Sequence, residues 1–198
     1  MKEAFRFVMM LFVLLAGHIP AAARQDPPPP PPADDYSPKR WKEFSSQEGG
    51  FTVLLPGTPQ GSSKTEQTQA GDLVTHTFIY KGVIEYDVIY MDCPVNVEAP
   101  SQVKKLFDHM RDGGLANVAK GSPRIIKETD FSISGHPGRF LQVEVADNTV
   151  IRMKFIAVKN RVYNLVAVSE KARPNVMGSE NDYEEIAMAF LDSFKLTK

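Results

Sequence analysis

Residues 139–158 read RFLQVEVADNTVIRMKFIAV, and the alternation within them decides the fold. Leu141, Val143 and Val145 recur at every second position, and so do Ile151, Met153 and Phe155 beyond a polar break. A strand sends successive side chains to opposite faces, so this period of two marks two strands half buried on a sheet. A three-residue loop, Asp147-Asn148-Thr149, gathers all six apolar residues on one face. It sets Glu144 opposite Arg152 and Gln142 opposite Lys154 on the other, pairing a carboxylate with a guanidinium. A two-residue loop would place Glu144 against Ile151 and break the alternation, because a slip of one residue exchanges the faces. The segment is an antiparallel hairpin with a charged outer face.

The neighbouring stretches extend the same pattern. A strand is predicted over Arg124–Ser134, stopped by the turn Gly135-His136-Pro137-Gly138, and Lys159-Asn160 turns the chain into a further strand over Arg161–Val168. Upstream, Leu73–Tyr80 and Val83–Met91 flank Lys81-Gly82, a two-residue hairpin signal whose glycine can take a positive φ. That register faces Ile79 with Ile84, Thr77 with Tyr86, Thr75 with Val88 and Leu73 with Tyr90. Trp41–Ser46 and Phe51–Leu55 read as short strands ahead of Pro56-Gly57-Thr58-Pro59, and the polar residues 61–71 as an edge strand or a loop.

Two stretches switch to a helical period. After Ala99-Pro100, with Ser101 as N-cap, Val103, Leu106, Phe107 and Met110 fall on one stripe that Gly113-Gly114 should end. Ser179-Glu180-Asn181-Asp182 resembles a capping box, and Tyr183, Ile186, Ala187, Phe190, Leu191 and Phe194 form the second stripe. The fold class is α+β: an antiparallel β-sheet with two amphipathic helices packed on it. Without βαβ alternation or a glycine-rich strand-to-helix turn, a nucleotide-binding α/β fold is disfavoured.

The ends of the chain are of another kind. Residues 1–23 carry Lys2 and Arg6, an apolar run from Phe7 to Gly17, and Ala21-Ala22-Ala23. This is the pattern of a signal peptide cleaved after Ala23, and the run is too short to span a bilayer. Residues 24–40 are a proline-rich tether. Pro27 to Pro32 are consecutive, and at ~3.1 Å per residue they extend about 19 Å as polyproline II. Residues 41–198 remain as one domain. The expected location is the periplasm or the cell exterior, with no stable membrane span once the signal is removed.

Composition narrows the function. Of the 198 residues, 42% are hydrophobic, enough for a packed core, and the formal net charge is −1. Removing Lys2, Arg6 and Glu3 with the signal shifts it only to −2, so no basic surface points to nucleic acid. The lone Cys93 cannot form an internal disulfide. An inert, partly buried thiol is expected there, with an intermolecular disulfide or a reactive thiol as the alternatives.

The order of elements resembles the PsbP-like fold, shared with the Mog family and DcrB-type proteins. The stretches that carry the resemblance are Trp41…Phe44-Ser45-Ser46…Gly49-Gly50-Phe51-Thr52-Val53…Pro56-Gly57-Thr58-Pro59, Arg111-Asp112-Gly113, Gly135-His136-Pro137-Gly138-Arg139 and Phe190-Leu191-Asp192-Ser193-Phe194. They also look like uncharacterised secreted bacterial proteins of that group. The resemblance covers roughly residues 41–196 and speaks for fold more than activity. It implies binding or assembly beside larger complexes, and it transfers no functional residue.

Metalloprotease, thiol–disulfide, calcium-loop, P-loop and nucleophile-elbow motifs are all missing, and no cofactor or metal is indicated. One constellation carries possible chemistry. The Lys81-Gly82 register sets His76 opposite Asp87, with Glu85 two residues along the same face. An imidazole beside two carboxylates suits a general base or a metal site, and equally a cross-strand ion pair on a wet surface. His136 belongs to a turn and His109 to the wet face of its helix. The tyrosines Tyr80, Tyr86 and Tyr90 are core or interface filler, or the lining of an aromatic groove. The leading expectation is an exported, non-enzymatic module docking onto an unidentified envelope or extracellular protein. The rivals are a carrier holding a small apolar ligand or lipid between sheet and helices, lined by Tyr86 and Tyr90, and a hydrolase or metal-dependent enzyme at His76, Asp87 and Glu85.

Overall fold

The computed structural model describes residues 37–68, 71–118, 122–146, 148–170 and 180–197. The expected signal peptide, the proline run and Ser179 of the expected capping box lie outside them. A 3₁₀ turn over Pro38–Arg40 leads into β1 (Lys42–Ser46), β2 (Phe51–Leu55), β3 (Gln60–Thr68), β4 (Gly71–Lys81) and β5 (Glu85–Asp92). Helix α1 (Pro100–Asn117) follows, then β6 (Arg124–Ile133), β7 (His136–Val145), β8 (Thr149–Val158) and β9 (Arg161–Glu170). Helix α2 (Glu180–Ser193) and the short β10 (Lys195–Leu196) complete the order.

The strands form two sheets. Seven make an antiparallel sheet ordered β3-β4-β5-β9-β8-β7-β6, and β1-β2-β10 make a second, three-stranded sheet. Alternation along the large sheet feeds two cores. Tyr86, Val88, Tyr90, Phe140, Ile156, Tyr163 and Leu165 face α2 and the small sheet, where Phe51, Ile186, Phe190 and Phe194 meet them. Met91, Leu141, Val143, Met153, Phe155 and Val162 face α1, whose Val103, Leu106, Phe107 and Met110 close over them. Each large apolar side chain so buried contributes about 1.5–3 kcal/mol of transfer free energy, so both helices are held by their stripes.

The decisive hairpin keeps the predicted faces and shifts its register by two. Val145 pairs with Thr149, Leu141 with Met153 and Gln142 with Arg152. The loop is three residues long but starts one residue earlier, with Asn148 at φ 65°, a left-handed position that asparagine tolerates. The charged outer face is not bare: α2 lies over it. Arg152 is only 2% exposed. Its Nη1 donates to Ser169 Oγ at 3.3 Å, and its Nη2 sits 3.7 Å from Glu184. Lys154 Nζ donates to the Leu191 carbonyl and to Asp192 at the end of α2.

The Lys81-Gly82 hairpin departs further. Lys81 pairs with Glu85, Ile79 with Asp87 and His76 with Tyr90, across a three-residue loop. The shift is odd, so it exchanges faces. It brings Phe78 and Tyr80 to the side of Ile84, Tyr86, Val88 and Tyr90, and Ile84 drops into the core.

Helix α1 has Ala99 at the N-cap and Pro100 at its first position, not Ser101 as cap. It also runs through Gly113-Gly114 to Asn117. Two glycines cost about 1 kcal/mol each in a helix. The last turn offsets that by packing Leu115, half-buried, against the same core.

Candidate functional site: a cleft between α1 and the β6–β7 hairpin

The β6–β7 hairpin turns on two residues, Ser134 and Gly135, with φ of 52° and 84°. Both values are positive, as a two-residue turn of type I′ requires. Ile133 therefore pairs with His136, and His136-Pro137-Gly138 belong to a strand, not to a turn. Gly138 lies directly across from Phe131, and a Cβ there would sit 2.4 Å from the ring. The missing side chain lets the ring lie on the strand.

The next residue, Arg139, is 5% exposed and points toward α1. Its Nε donates to Asp130 Oδ1 at 2.6 Å and its Nη2 to Asp130 Oδ2 at 3.3 Å. Nη1 donates to Asp108 Oδ1 at 2.6 Å and lies 3.0 Å from Glu128 Oε1. The guanidinium also sits over the Phe107 ring, 5.7 Å from its centroid. Burial alone would lower the Arg139 pKa, but the hydrogen bonds to Asp130 and Asp108 reverse that and hold it above its usual value. The hydrogen bond from Arg139 likewise holds the Asp108 carboxyl below the usual carboxylate range. Arg111 extends the cluster, bonding Glu128 at 3.1 Å and Asp112 at 2.9 Å. The segments Arg111-Asp112-Gly113 and Gly135-His136-Pro137-Gly138-Arg139, far apart in the chain, thus converge on one charge network.

Beside this network opens a cleft of about 510 Å³, within the range of ligand sites. Its apolar lining comes from Pro100, Val103, Phe107, Phe131 and Pro137, and Glu98, Lys104, Asp130, Ser132 and Arg139 add polar groups. His136 Nδ1 lies 2.5 Å from Glu98 Oε1, and Glu98 Oε2 accepts the Lys159 N–H at 3.0 Å. The His136 contact leads in holding the Glu98 carboxyl below its usual value. These bonds anchor the entry to α1 against the end of the sheet.

The constellation expected from the sequence is not assembled. His76 stacks on Tyr90 at 4.4 Å between centroids, with Nε2 3.6 Å from Glu48, on the α2 side of the sheet. Asp87 and Glu85 point to the α1 side. Glu85 sits 3.4 Å from Lys81 Nζ. Asp87 Oδ1 is buried without a hydrogen-bond partner, and burial, with help from the Glu85 charge, raises its pKa to about 7. The cause is the odd shift of the hairpin register, which separates His76 from both carboxylates.

Other expectations change with the packing. Tyr86 and Tyr90 are core residues, ringed by Trp41, Phe51, Phe78 and Phe190, and they line no groove. His109 is half buried, its Nε2 is enclosed without a partner, and burial lowers its pKa, so it is not on a wet face. Cys93 is a buried free thiol, pushed up to about 12 chiefly by burial, which makes it inert. Among the described residues no group of three or more His, Cys, Asp or Glu side chains is arranged to hold a metal ion, and no helix is long and apolar enough to cross a membrane.

No family model and no curated protein matches this chain. Among solved structures it is similar to cyanobacterial PsbP (CyanoP) from Synechocystis sp. PCC 6803, at 11% identity and TM-score 0.53 over 79% of this chain and 92% of that one. It is also similar to the Saccharomyces cerevisiae Ran-binding protein Mog1p, at 9% identity and TM-score 0.47 over 80% of this chain and 96% of that one. The two-sheet body with α1 on one face and α2 on the other is a PsbP-like α+β fold.

Proposed function

We propose that this chain is an exported, non-catalytic docking module that engages an envelope or extracellular protein through the cleft between α1 and the β6–β7 hairpin. The observation that carries the reading is the cleft itself. It is preformed, with an apolar floor, and its walls are stiffened by a buried arginine held by three carboxylates. Groups fixed in this way hold a shape, as binding without large rearrangement requires. Its charged groups are bonded to one another, which suits recognition better than proton transfer. The surface continues along β6, where Ile125 and Ile126 are 41% and 44% exposed at the edge of the sheet. The signal-like residues 1–23 and the stiff proline tether fit a domain presented at a distance from its N-terminus.

The test is site-directed photo-crosslinking in the cell of origin, with the photoreactive residue at Lys104 on the cleft wall or at Glu43 on β1. A discrete protein adduct from position 104, absent from position 43 and lost when Ser132→Trp fills the cleft, is expected. Equal adducts from both positions, or an adduct insensitive to Ser132→Trp, would remove the cleft from the reading. An adduct of a small apolar molecule in its place would favour the carrier.

A further inference from the structure

Resting on the docking reading, we infer that the partner adds an extended strand to the outer edge of β6. That strand sets an aliphatic residue on Ile125 and Ile126 and a carboxylate opposite Lys127. β6 ends the seven-stranded sheet, and among the described residues no strand pairs with its outer side. Arg124 to Asp130 are exposed throughout. Such an edge presents a row of backbone N–H and C=O groups that an incoming strand satisfies. Ile125 and Ile126 are the only large hydrophobic side chains exposed among the described residues. Ile125 pairs with Val143 and so stands on the α1 side, and Ile126 is the extra residue of a bulge beside it. The other edge of the sheet, β3, reads QGSSKTEQT and offers no aliphatic side chain.

Charge decides the occupant. A second copy of β6, paired antiparallel about a two-fold axis, keeps every residue on its own face, and the register centres on one position of the ladder. Centred on the isoleucines, it sets Arg124 against Lys127. Centred on Arg124, Lys127 or Glu128, it sets that residue against its own copy, and centred on Thr129 it sets Glu128 against Asp130. Every register that covers the isoleucines thus opposes like charges, which destabilises the pairing. The bulge and the lysine discourage such self-association further. A strand of another protein is free of that conflict. On the α2 side, Arg124, Lys127, Arg152 and Lys154 stand against Glu144, Glu184 and Asp192. Among the described residues Lys127 is the member of this set without an ion pair, and it lies over the Phe140 ring at 5.7 Å. On the α1 side Glu128 and Asp130 are already held by Arg111 and Arg139. A carboxylate across from Lys127 therefore completes the edge.

The probes are two capped hexapeptides that alternate threonine and valine, with one central threonine replaced by glutamate in the first and by lysine in the second. They are titrated into the isotopically labelled full chain and followed by amide NMR shifts and amide exchange. The glutamate peptide is expected to shift Ile125–Asp130 and to slow exchange at alternate amides there, leaving β3 in place. The lysine peptide should bind about two- to fivefold more weakly, as a cross-strand charge pair allows, and Lys127→Glu should invert that order. No slowed exchange in β6 with either peptide, equal slowing in β3, or an order that Lys127→Glu leaves unchanged would overturn the inference. A dimer of the chain alone that Ile126→Lys disperses would overturn it in favour of a second copy. The crosslink from position 104 is read separately, so a partner that fills the cleft without adding a strand fails here alone.

Discussion

Asp87 shows at the scale of one residue what burial does to a charge. It lies between Ile79 and Val166 on neighbouring strands, and its Oδ1 has no hydrogen-bond partner. Its carboxyl titrates near 7 in the folded chain, raised from 3.8, mainly because burial penalises the charged form. A carboxyl whose folded pKa is raised contributes stability that is complete below about pH 4 and lost as pH rises through 7. Asp87→Asn removes the ionisation while keeping the shape. It should leave the urea midpoint nearly unchanged at pH 4.5 and raise stability at pH 8 by on the order of 1–2 kcal/mol, discounted for partial exposure. A variant equally stable relative to the parent at both pH values would contradict that assignment. Arg139 is the converse case, a buried charge matched by Asp130, Asp108 and Glu128. Such a cluster is a weak source of net stability, and here it fixes the position of α1 on β7.

Among the elements, the β6–β7 hairpin shapes the cleft, and Gly138 is the residue on which its packing turns. With a Cβ 2.4 Å from the Phe131 ring, Gly138→Ala must displace the ring from the strand. Overpacking of this kind costs about 1–3 kcal/mol. Thermal unfolding should show that loss, and Phe131→Leu in the same chain should recover part of it, whereas an unshifted Tm for Gly138→Ala would contradict the contact.

The elements were also the most legible part of the sequence. The stripe from Ile186 to Phe194 and the alternation of residues 141–155 appear in the structure on the faces that their periods assign. Register was less legible, because loop length fixes it. Lys81-Gly82 looked like a complete turn, yet Ile84 gains more from the core than from pairing with Ile79. That odd shift undid the grouping of His76 with Asp87 and Glu85. The even shift at Asn148 changed the cross-strand partners but not the faces. Helix α1 runs past Gly113-Gly114, where local propensity would end it, because Leu115 beyond them packs on the core. The Arg139 network shows in the sequence only as two turn-like segments, since it joins Arg139 to Asp130 across the β6–β7 turn and to Asp108 on α1, 31 positions away, and no local spacing announces such contacts.

On the scale of the whole molecule, two cores share one seven-stranded sheet, and the cleft lies between the start of α1 and the β6–β7 turn. The opposite face is sealed by α2 and the small sheet, with Phe51, Phe190 and Phe194 filling the space that a carried ligand would need. The exposed Ile125 and Ile126 sit on the same edge strand as the cleft wall. A protein partner would therefore cover one continuous border, from the start of α1 along β6. The most direct measurement is amide hydrogen exchange of the full chain alone and in complex with the protein captured from position 104. Slowed exchange over Val103–Phe107 and Ile125–Arg139, with β1 and β3 unchanged, is the predicted result. Protection confined to β3 or to the small sheet, with the cleft exchanging as in the free chain, would contradict it.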